Sequence, residues 1–182
     1  LEQWWPHAFT EGRALLLPGG TRLDSLELDF GQALLGREIK AGVIVDGDLT
    51  IGGALHNDEG DFGPFLVVLG KLTVKNVAIA GAPLHVEGDL EVENFHGFYN
   101  HGSTRVEGAL DAGLFIAQDY GVTLNGAVRG DVVEVRGHIT SKQRFEKRDA
   151  ADVLAPGFLG DEAWPNHGAI AKALVAGKPI RK

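Results

Sequence analysis

A seven-residue phrase of the form V-x-G-x-L-x-V recurs through the middle of the chain and constrains the fold more than any other feature of the sequence. Copies occupy residues 45–51 (VDGDLTI), 68–74 (VLGKLTV), 86–92 (VEGDLEV) and 106–112 (VEGALDA), and a weaker copy occupies 124–130 (LNGAVRG). The central glycines are 23, 18, 20 and 18 residues apart at Gly47, Gly70, Gly88, Gly108 and Gly126. Self-similarity at this period is typical of a solenoid, in which each repeat packs on its neighbours.

Alternation of apolar and polar residues within each phrase predicts short β-strands with one buried face. Val45, Leu49 and Ile51 should point inward, and their counterparts should stack on them at about 4.8 Å, the spacing of neighbouring strands. The glycine between them predicts a bend where no side chain fits. A second strand of each coil is predicted at the shorter apolar runs 77–80, 114–117 and 132–135. The predicted fold is an all-β solenoid, a right-handed parallel β-helix with an N-terminal cap and C-terminal helical segments.

Three regions are predicted along the chain: an N-terminal cap and first irregular coil at 1–35, β-helix repeats at 36–138, and a C-terminal helical cap at 139–182. Trp4 and Trp5 are interpreted as rings that cover the open end of the core, because each can bury about 150–250 Å². Residues 141–154 are predicted to be a helix, residues 161–175 are predicted to end in another, and both segments should lie over the last coil.

The charge balance limits the classes of partner. There are 17 basic and 25 acidic residues, which gives a formal net charge of −8. Phosphate backbones and anionic membranes repel a negative chain, so we expect neither nucleic acid nor a membrane as partner, and a basic protein fits better. Without cysteine or an apolar run of about 18 residues, the chain is expected to be cytoplasmic and to lack thiolate metal sites and a spanning helix. We expect no cofactor, and a monomer or small homo-oligomer.

Two insertions interrupt the period and supply candidate binding residues. Residues 56–64 (HNDEGDFGP) and residues 95–102 (FHGFYNHG) lengthen their coils. Extra residues in a repeat usually emerge on one face, where solenoids often bind. The candidate contacts for a protein partner on these two loops are Asp58, Glu59, Asp61, Phe98 and Tyr99.

An acidic ladder, formed by Glu87, Asp89, Glu91, Glu107 and Asp111, is predicted on the outward side of the repeat. Glu87 should lie over Glu107 and Glu91 over Asp111. Directly opposed like charges destabilise a sheet by about 0.2–1 kcal/mol, and nothing in folding requires this arrangement. One explanation is solubility. The other is a docking face for a basic protein, which makes the ladder the second set of candidate binding residues.

Histidines raise a metal hypothesis, because imidazole is a favoured zinc ligand. His96 and His101 share the second loop and are the weak candidates, but alignment on the glycines places His85 and His101 at different positions of the coil, so no metal site is assigned. The same alignment puts Asp119 beside His101 in the next coil and predicts an imidazole–carboxylate pair. Such a pair without a nucleophile, metal or pocket is not a catalytic apparatus, and no catalytic residue is assigned.

Residues 43–126 resemble the bactofilins, the polymer-forming cytoskeletal proteins of bacteria, whose right-handed β-helix is built from coils with comparable phrases. The chain is also similar to an uncharacterised group of bactofilin-like bacterial proteins through 66–74 (LVVLGKLTV), 97–108 (GFYNHGSTRVEG) and 176–180 (AGKPI). The resemblance implies a β-helix and, for the bactofilins, end-to-end polymerisation. Bactofilin solenoids are uncapped, so the folded flanks expected here depart from that pattern.

Three functions are compatible with these features. The first is a non-enzymatic protein-interaction module, such as an immunity or inhibitor protein that binds a toxin or another basic protein. The second is a self-assembling bactofilin-like scaffold. The third is a metal-dependent enzyme, since a period of 18 residues equals three hexapeptides, as in left-handed β-helical acyltransferases and γ-class carbonic anhydrases. The seven-residue alternation and the longer coils count against that last fold.

Overall fold

The computed structural model describes residues 13–182 and shows a β-solenoid of about five turns. One parallel sheet has the strand order β1-β6-β8-β10-β12-β14-β16, with bounds Leu15–Pro18, Gly42–Asp46, Phe65–Val68, Leu84–Val86, Ser103–Val106, Gly121–Leu124 and His138–Ser141. The second has the order β15-β13-β11-β9-β7-β2, with bounds Val128–Val135, Leu110–Gln118, Leu90–Gly97, Leu72–Ile79, Leu49–His56 and Thr21–Leu23. Strand β3 (Leu26–Glu27) also pairs with β7, and β4 (Ala33–Leu34) forms a hairpin with β5 (Arg37–Glu38). The predicted solenoid class is confirmed.

Inward side chains form columns that run along the solenoid. Leu90 pairs in register with Leu72 of the preceding coil and with Leu110 of the next. In the first sheet Val86 pairs with Val68 and Val106 in the same way. These side chains are buried in one continuous core, as the alternation within the phrase predicts. A shift of one residue would turn every column outward, which is why the register is so regular.

The phrase glycines stack at the corner between the two sheets. A Cβ atom added to Gly88 would lie 2.6 Å from backbone atoms of Gly70, and one added to Gly108 would lie 2.5 Å from backbone atoms of Gly88. Such distances leave no room for any side chain. The predicted bend at the glycine is therefore a point of close backbone approach between coils.

The shorter apolar runs do not form separate strands. Residues 77–79 are the second half of β9, and residues 114–117 and 132–135 belong to β13 and β15. In this second half, Val77 and Ile79 face the solenoid core while Ala78 faces a second apolar cluster. Both faces are covered, so the runs read as continuously apolar.

The C-terminal region corrects one predicted helix and confirms the other. Only Ala150–Val153 (α1) of the predicted helix 141–154 is helical, because residues 142–149 run beside the last coil instead. The N–H of Arg148 donates to the carbonyl oxygen of Val132 at 2.7 Å, and Phe145 packs on the core. As predicted, residues 161–175 end in a helix, His167–Val175 (α2), which is preceded by 3₁₀ turns at Pro156–Phe158 and Asp161–Ala163. Helix α2 begins after Pro165 at the cap Asn166, whose side chain accepts a hydrogen bond from the N–H of Ala169.

Helix α2 packs against the side of the solenoid, on β7, β9 and β11, rather than over its end. Its apolar residues Ile170, Ala173 and Leu174 join the second cluster. Two buried asparagines fix the helix: the side-chain amide of Asn76 donates to the carbonyl oxygen of Leu174 at 3.0 Å and accepts from Asn94 at 3.0 Å. The predicted terminal cap is thus only the stretch 142–149, while α2 forms a lateral cover.

The hairpin covers the N-terminal end of the described core. Leu34 and Ile39 are buried in the main cluster, and the guanidinium group of Arg37 donates to the carbonyl oxygen of Leu16 in β1. The predicted role of Trp4 and Trp5 lies outside the described residues. No helix among residues 13–182 combines the length and apolar character needed to cross a membrane.

Candidate functional site

The two insertions emerge from the same corner of the solenoid and meet. Residues 57–64 connect β7 to β8, and residues 98–102 connect β11 to β12. Nδ1 of His101 lies 3.3 Å from a carboxylate oxygen of Asp61. The ring of Phe62 lies 6.1 Å from that of His101. We call residues 57–64 and 98–102 together the loop face.

Asn57 anchors the first loop. Its side-chain oxygen accepts hydrogen bonds from the N–H groups of Ala80 and Ala82 at 3.3 and 3.0 Å, and its amide donates to Asp29. The carboxylate of Asp29 also accepts from the N–H groups of residues 58 and 59, at 2.9 and 3.1 Å. The loop is therefore tied to the coils on both sides, and its exposed carboxylates are held on a fixed backbone.

A pocket of about 320 Å³ lies between the first loop, β9, β11 and α2. Its lining residues are Asn57, Asp58, Gly60, Asp61, Ala78, Ile79, Ala80, His96, Phe98, Tyr99, His167 and Ala171. The side chains of Asp58 and Asp61 are 83% and 61% exposed, which places charge at its mouth. Ala78, Ile79 and Ala171 make part of the interior apolar.

Aromatic rings form one wall of the pocket. The rings of Phe98 and His167 stack with centroids 4.0 Å apart and planes 15° apart. The ring of His96 lies nearly parallel to that of Phe98, with centroids 6.2 Å apart. The ring of Tyr99 is tilted against that of Phe98, with centroids 5.5 Å apart. All four of these aromatic side chains are among the residues that line the pocket.

His96 is buried in the wall, and its protonation state follows from its neighbours. The side-chain amide of Gln118 donates to the carbonyl oxygen of Pro165 at 3.1 Å, which turns its oxygen toward Nε2 of His96, 3.3 Å away. Nε2 must then carry the proton and donate, which leaves Nδ1 with its lone pair. Burial lowers the pKa of His96 to about 4, although the hydrogen bond to Gln118 opposes the shift and His167 adds to it. The ring is therefore neutral at pH 7.

The predicted loop residues divide between the pocket and its surroundings. Asp58, Asp61, Phe98 and Tyr99 line the pocket, while Glu59 does not and instead accepts the N–H of Asp61 at 3.3 Å. Of the two weak metal candidates, His96 lines it and His101 pairs with Asp61. Across residues 13–182, no three His, Asp or Glu side chains are grouped so that they could hold a metal ion.

The predicted pair of His101 and Asp119 does not form. His101 turns to Asp61 of the other loop instead. Asp119 occupies a turn with φ of 49°, and its N–H donates to the carbonyl oxygen of Val135 at 2.8 Å. Equivalent positions in successive coils therefore do not ensure side-chain contact where the chain leaves the strands.

The acidic ladder exists, but its carboxylates have local partners. Glu91 and Asp111 pair in register across β11 and β13, as predicted. Glu91 lies 2.5 Å from Nζ of Lys71, and Asp111 lies 3.8 Å from Arg129. None of the five ladder residues lines the pocket of the loop face.

The other ladder carboxylates are tied to the fold. Asp89 accepts the backbone N–H of Ala109 at 2.7 Å, and Glu87 lies 2.8 Å from Nε2 of His85. Burial alone would raise the pKa of Glu107, but hydrogen bonds from Arg105 and Asn125 outweigh it and hold that pKa below its usual range. Asp89 therefore joins two neighbouring coils through a hydrogen bond from a backbone N–H to its side chain, a structural role in addition to its charge.

Among the contributors to the site that the sequence analysis did not identify are Asp29, His167 and Ala171. Asn166 does signal a helix start just before His167. Nothing in the local sequence, however, places that helix beside loops from the middle of the chain. Asp29 likewise acts through contacts with a loop one coil away.

Comparison with known proteins adds no assignment. No protein-family model matches the chain, and no curated protein or solved structure shows significant similarity to it. The geometry of the loop face is therefore the basis for a function.

Proposed function

We propose that this chain is a non-catalytic protein-interaction module whose recognition surface is the loop face together with the N-terminal half of α2. The observation that supports the proposal most directly is the pocket. Its lining comes from the first loop, from β9 and β11 with the second loop, and from α2. A preformed pocket on an anchored surface lowers the entropic cost of binding.

Charge supports a basic protein as the partner. The chain carries a formal net charge of −8, and Asp58 and Asp61 stand exposed at the mouth of the pocket. Complementary charge accelerates encounter and favours the correct partner over others. An immunity or inhibitor protein that blocks a basic toxin is one form of this function.

The exposed aromatic residue Phe62 supports the same surface. Its side chain is 71% exposed, beside His101, where it contributes nothing to the core. Aromatic residues are enriched among the side chains that dominate binding energy in protein interfaces. The acidic ladder is a weaker candidate surface, because none of its residues lines the pocket of the loop face.

The test is affinity capture from a lysate of the source cells with a matched pair of variants. The loop variant is Asp61→Asn/Phe62→Ala, and the control is Leu69→Ala/Asp111→Asn, which also removes one charge and one exposed apolar side chain. We expect the wild type and the control to capture a basic protein that the loop variant does not capture. After purification, that protein should form a 1:1 complex with the wild type. Equal capture by all three proteins, or no captured protein that depends on the loop face, would overturn the proposal.

A self-assembling bactofilin-like scaffold is the second candidate. The observation in its favour is that β1 and β16 are the terminal strands of the first sheet, and each pairs with only one neighbour strand among the described residues. Such edges can pair with another copy. Light scattering over a concentration series separates the candidates: a constant small mass supports the interaction module, and growth into long polymers supports the scaffold.

A further inference from the structure

We propose that the pocket of the loop face is a receptor for the guanidinium group of an arginine side chain presented by the partner protein. This inference rests on the proposed interaction function and specifies the chemistry by which it would work. It is argued from the size of the pocket, its charge and the type of groups that line it.

The volume is small for a ligand pocket and is enough for one long side chain. Pockets for drug-sized ligands span about 300–1,000 Å³, and this pocket, at about 320 Å³, lies at the small end. Asp58 and Asp61 line it with largely exposed side chains, so a side chain from a partner lying on the loop face can reach them. The anchors of protein interfaces are often single arginine or aromatic side chains in such pockets.

The electrostatics favour a cation. No lysine or arginine is among the residues that line the pocket. The two exposed carboxylates, Asp58 and Asp61, do line it. His96, which is buried beside the aromatic wall, is neutral at pH 7 and therefore adds no repulsion. Its Nε2 is occupied by Gln118, so Nδ1 is the ring nitrogen with a lone pair that a ligand N–H could reach.

The aromatic wall favours guanidinium over ammonium. The rings of Phe98, Tyr99 and His167 line the same pocket as the carboxylates of Asp58 and Asp61. A planar guanidinium can stack on a ring while its N–H groups donate sideways to carboxylates. An ammonium group is compact and strongly hydrated, and it gains less from stacking.

The test is an NMR titration of the full chain with the capped peptide acetyl-Gly-Arg-Gly-amide, with the lysine and citrulline peptides as matched probes. We expect the arginine peptide to shift amide signals of residues 57–64, 98–102 and 167–171 and to bind about tenfold more tightly than the lysine peptide. Citrulline has the same shape without the charge, and we expect no saturable binding. Similar affinity for all three peptides, or shifts confined to other parts of the chain, would overturn the inference.

Variants assign the binding to named groups. Tyr99→Leu keeps apolar bulk without the π face, and Asp58→Asn/Asp61→Asn keeps shape without charge, so each should weaken arginine binding about tenfold. The control Glu91→Gln/Asp111→Asn also removes two charges, on the acidic ladder, and should leave binding unchanged. If the control weakened binding as much as the loop variants do, the affinity would depend only on net charge. That result would contradict a specific pocket.

The same samples separate failure of this inference from failure of the proposed function. Loss of partner capture in Asp61→Asn/Phe62→Ala, without any arginine-peptide binding, would refute the guanidinium receptor and leave the interaction module in place. Saturable arginine binding at the pocket without a loop-dependent partner would support the receptor and refute the module as proposed.

Discussion

Nδ1 of His101 lies 3.3 Å from a carboxylate oxygen of Asp61, and this contact joins two loops that the period of the repeat treats as separate interruptions. Each loop leaves its own coil, and the coil of β9 and β10 lies between them in the sheets. Their contact turns two local insertions into one surface beside α2. The shape of the loop face therefore depends on this pair as well as on the anchor at Asn57.

Replacing His101 with alanine should loosen the first loop without unfolding the chain. Both side chains are about half exposed, so the pair contributes only about 0.2–1 kcal/mol to the free energy of unfolding. We expect faster amide exchange in residues 57–64, measured by hydrogen-exchange mass spectrometry. His138→Ala, at an exposed histidine in β16, is the control and should leave that exchange unchanged. Unaltered exchange in His101→Ala would show that Asn57 alone fixes the loop.

His96 should make stability depend on pH between about 6.5 and 4. Its pKa is about 4 in the folded chain, and about 6.5 is the ordinary value expected after unfolding, so the unfolded state binds a proton first as the pH falls. The stabilising contribution is complete above pH 6.5 and is lost as the pH falls toward 4. It amounts to about 2–3 kcal/mol between pH 7.5 and 4.5.

Urea unfolding of the wild type and His96→Gln at both pH values isolates this contribution. Glutamine can still donate to Gln118 but cannot titrate, so the variant should lose less stability on acidification by about 2–3 kcal/mol. The titration of His96 followed by NMR provides an independent check. Identical losses in the two proteins would contradict a buried, neutral His96.

The glycine corner should reject even a methyl group. In Gly108→Ala the added Cβ would lie 2.5 Å from backbone atoms of Gly88, and backbone cannot move aside as a flexible side chain can. We expect a loss of about 1–3 kcal/mol in the free energy of unfolding, measured in urea. Gly157→Ala, where no atom lies within 4 Å of the added Cβ, should change stability by less than about 0.5 kcal/mol. A fully stable Gly108→Ala would contradict the close stacking of coils.

Asp89 should matter as a hydrogen-bond acceptor rather than as a negative charge. Asp89→Ala removes the acceptor for the N–H of Ala109 and should cost about 1 kcal/mol. Asp89→Asn retains an oxygen at that position and should cost less than half as much. Chemical denaturation of the two variants distinguishes the roles, since equal losses would mean that the charge itself is required.

The solenoid could be predicted from the sequence because its information is local and repeated. Each copy of the phrase has the same alternation of apolar and polar residues. The spacing between copies is enough to predict the column through Leu72, Leu90 and Leu110. The role of the corner glycines could also be predicted from the sequence, since only glycine tolerates such close backbone approach. The positions where extra residues leave the coils could also be read from the changes in spacing.

The rest depends on contacts between distant parts of the chain. The charged stretch around Phe145 has the composition of a helix, but burying that ring and pairing beside β15 outweigh a weak local preference. The partner of His101 is Asp61 rather than Asp119 because loop backbones do not keep the register of the strands. His167 could not be placed at the pocket without knowing where α2 packs.

The most direct measurement for the loop face is hydrogen-exchange mass spectrometry of the complex between this chain and its captured partner. We expect new protection in residues 57–64, 98–102 and 167–171, with little change along the acidic ladder. Protection centred on residues 87–91 and 107–111, or on the terminal strands β1 and β16, would contradict the loop face as the recognition surface.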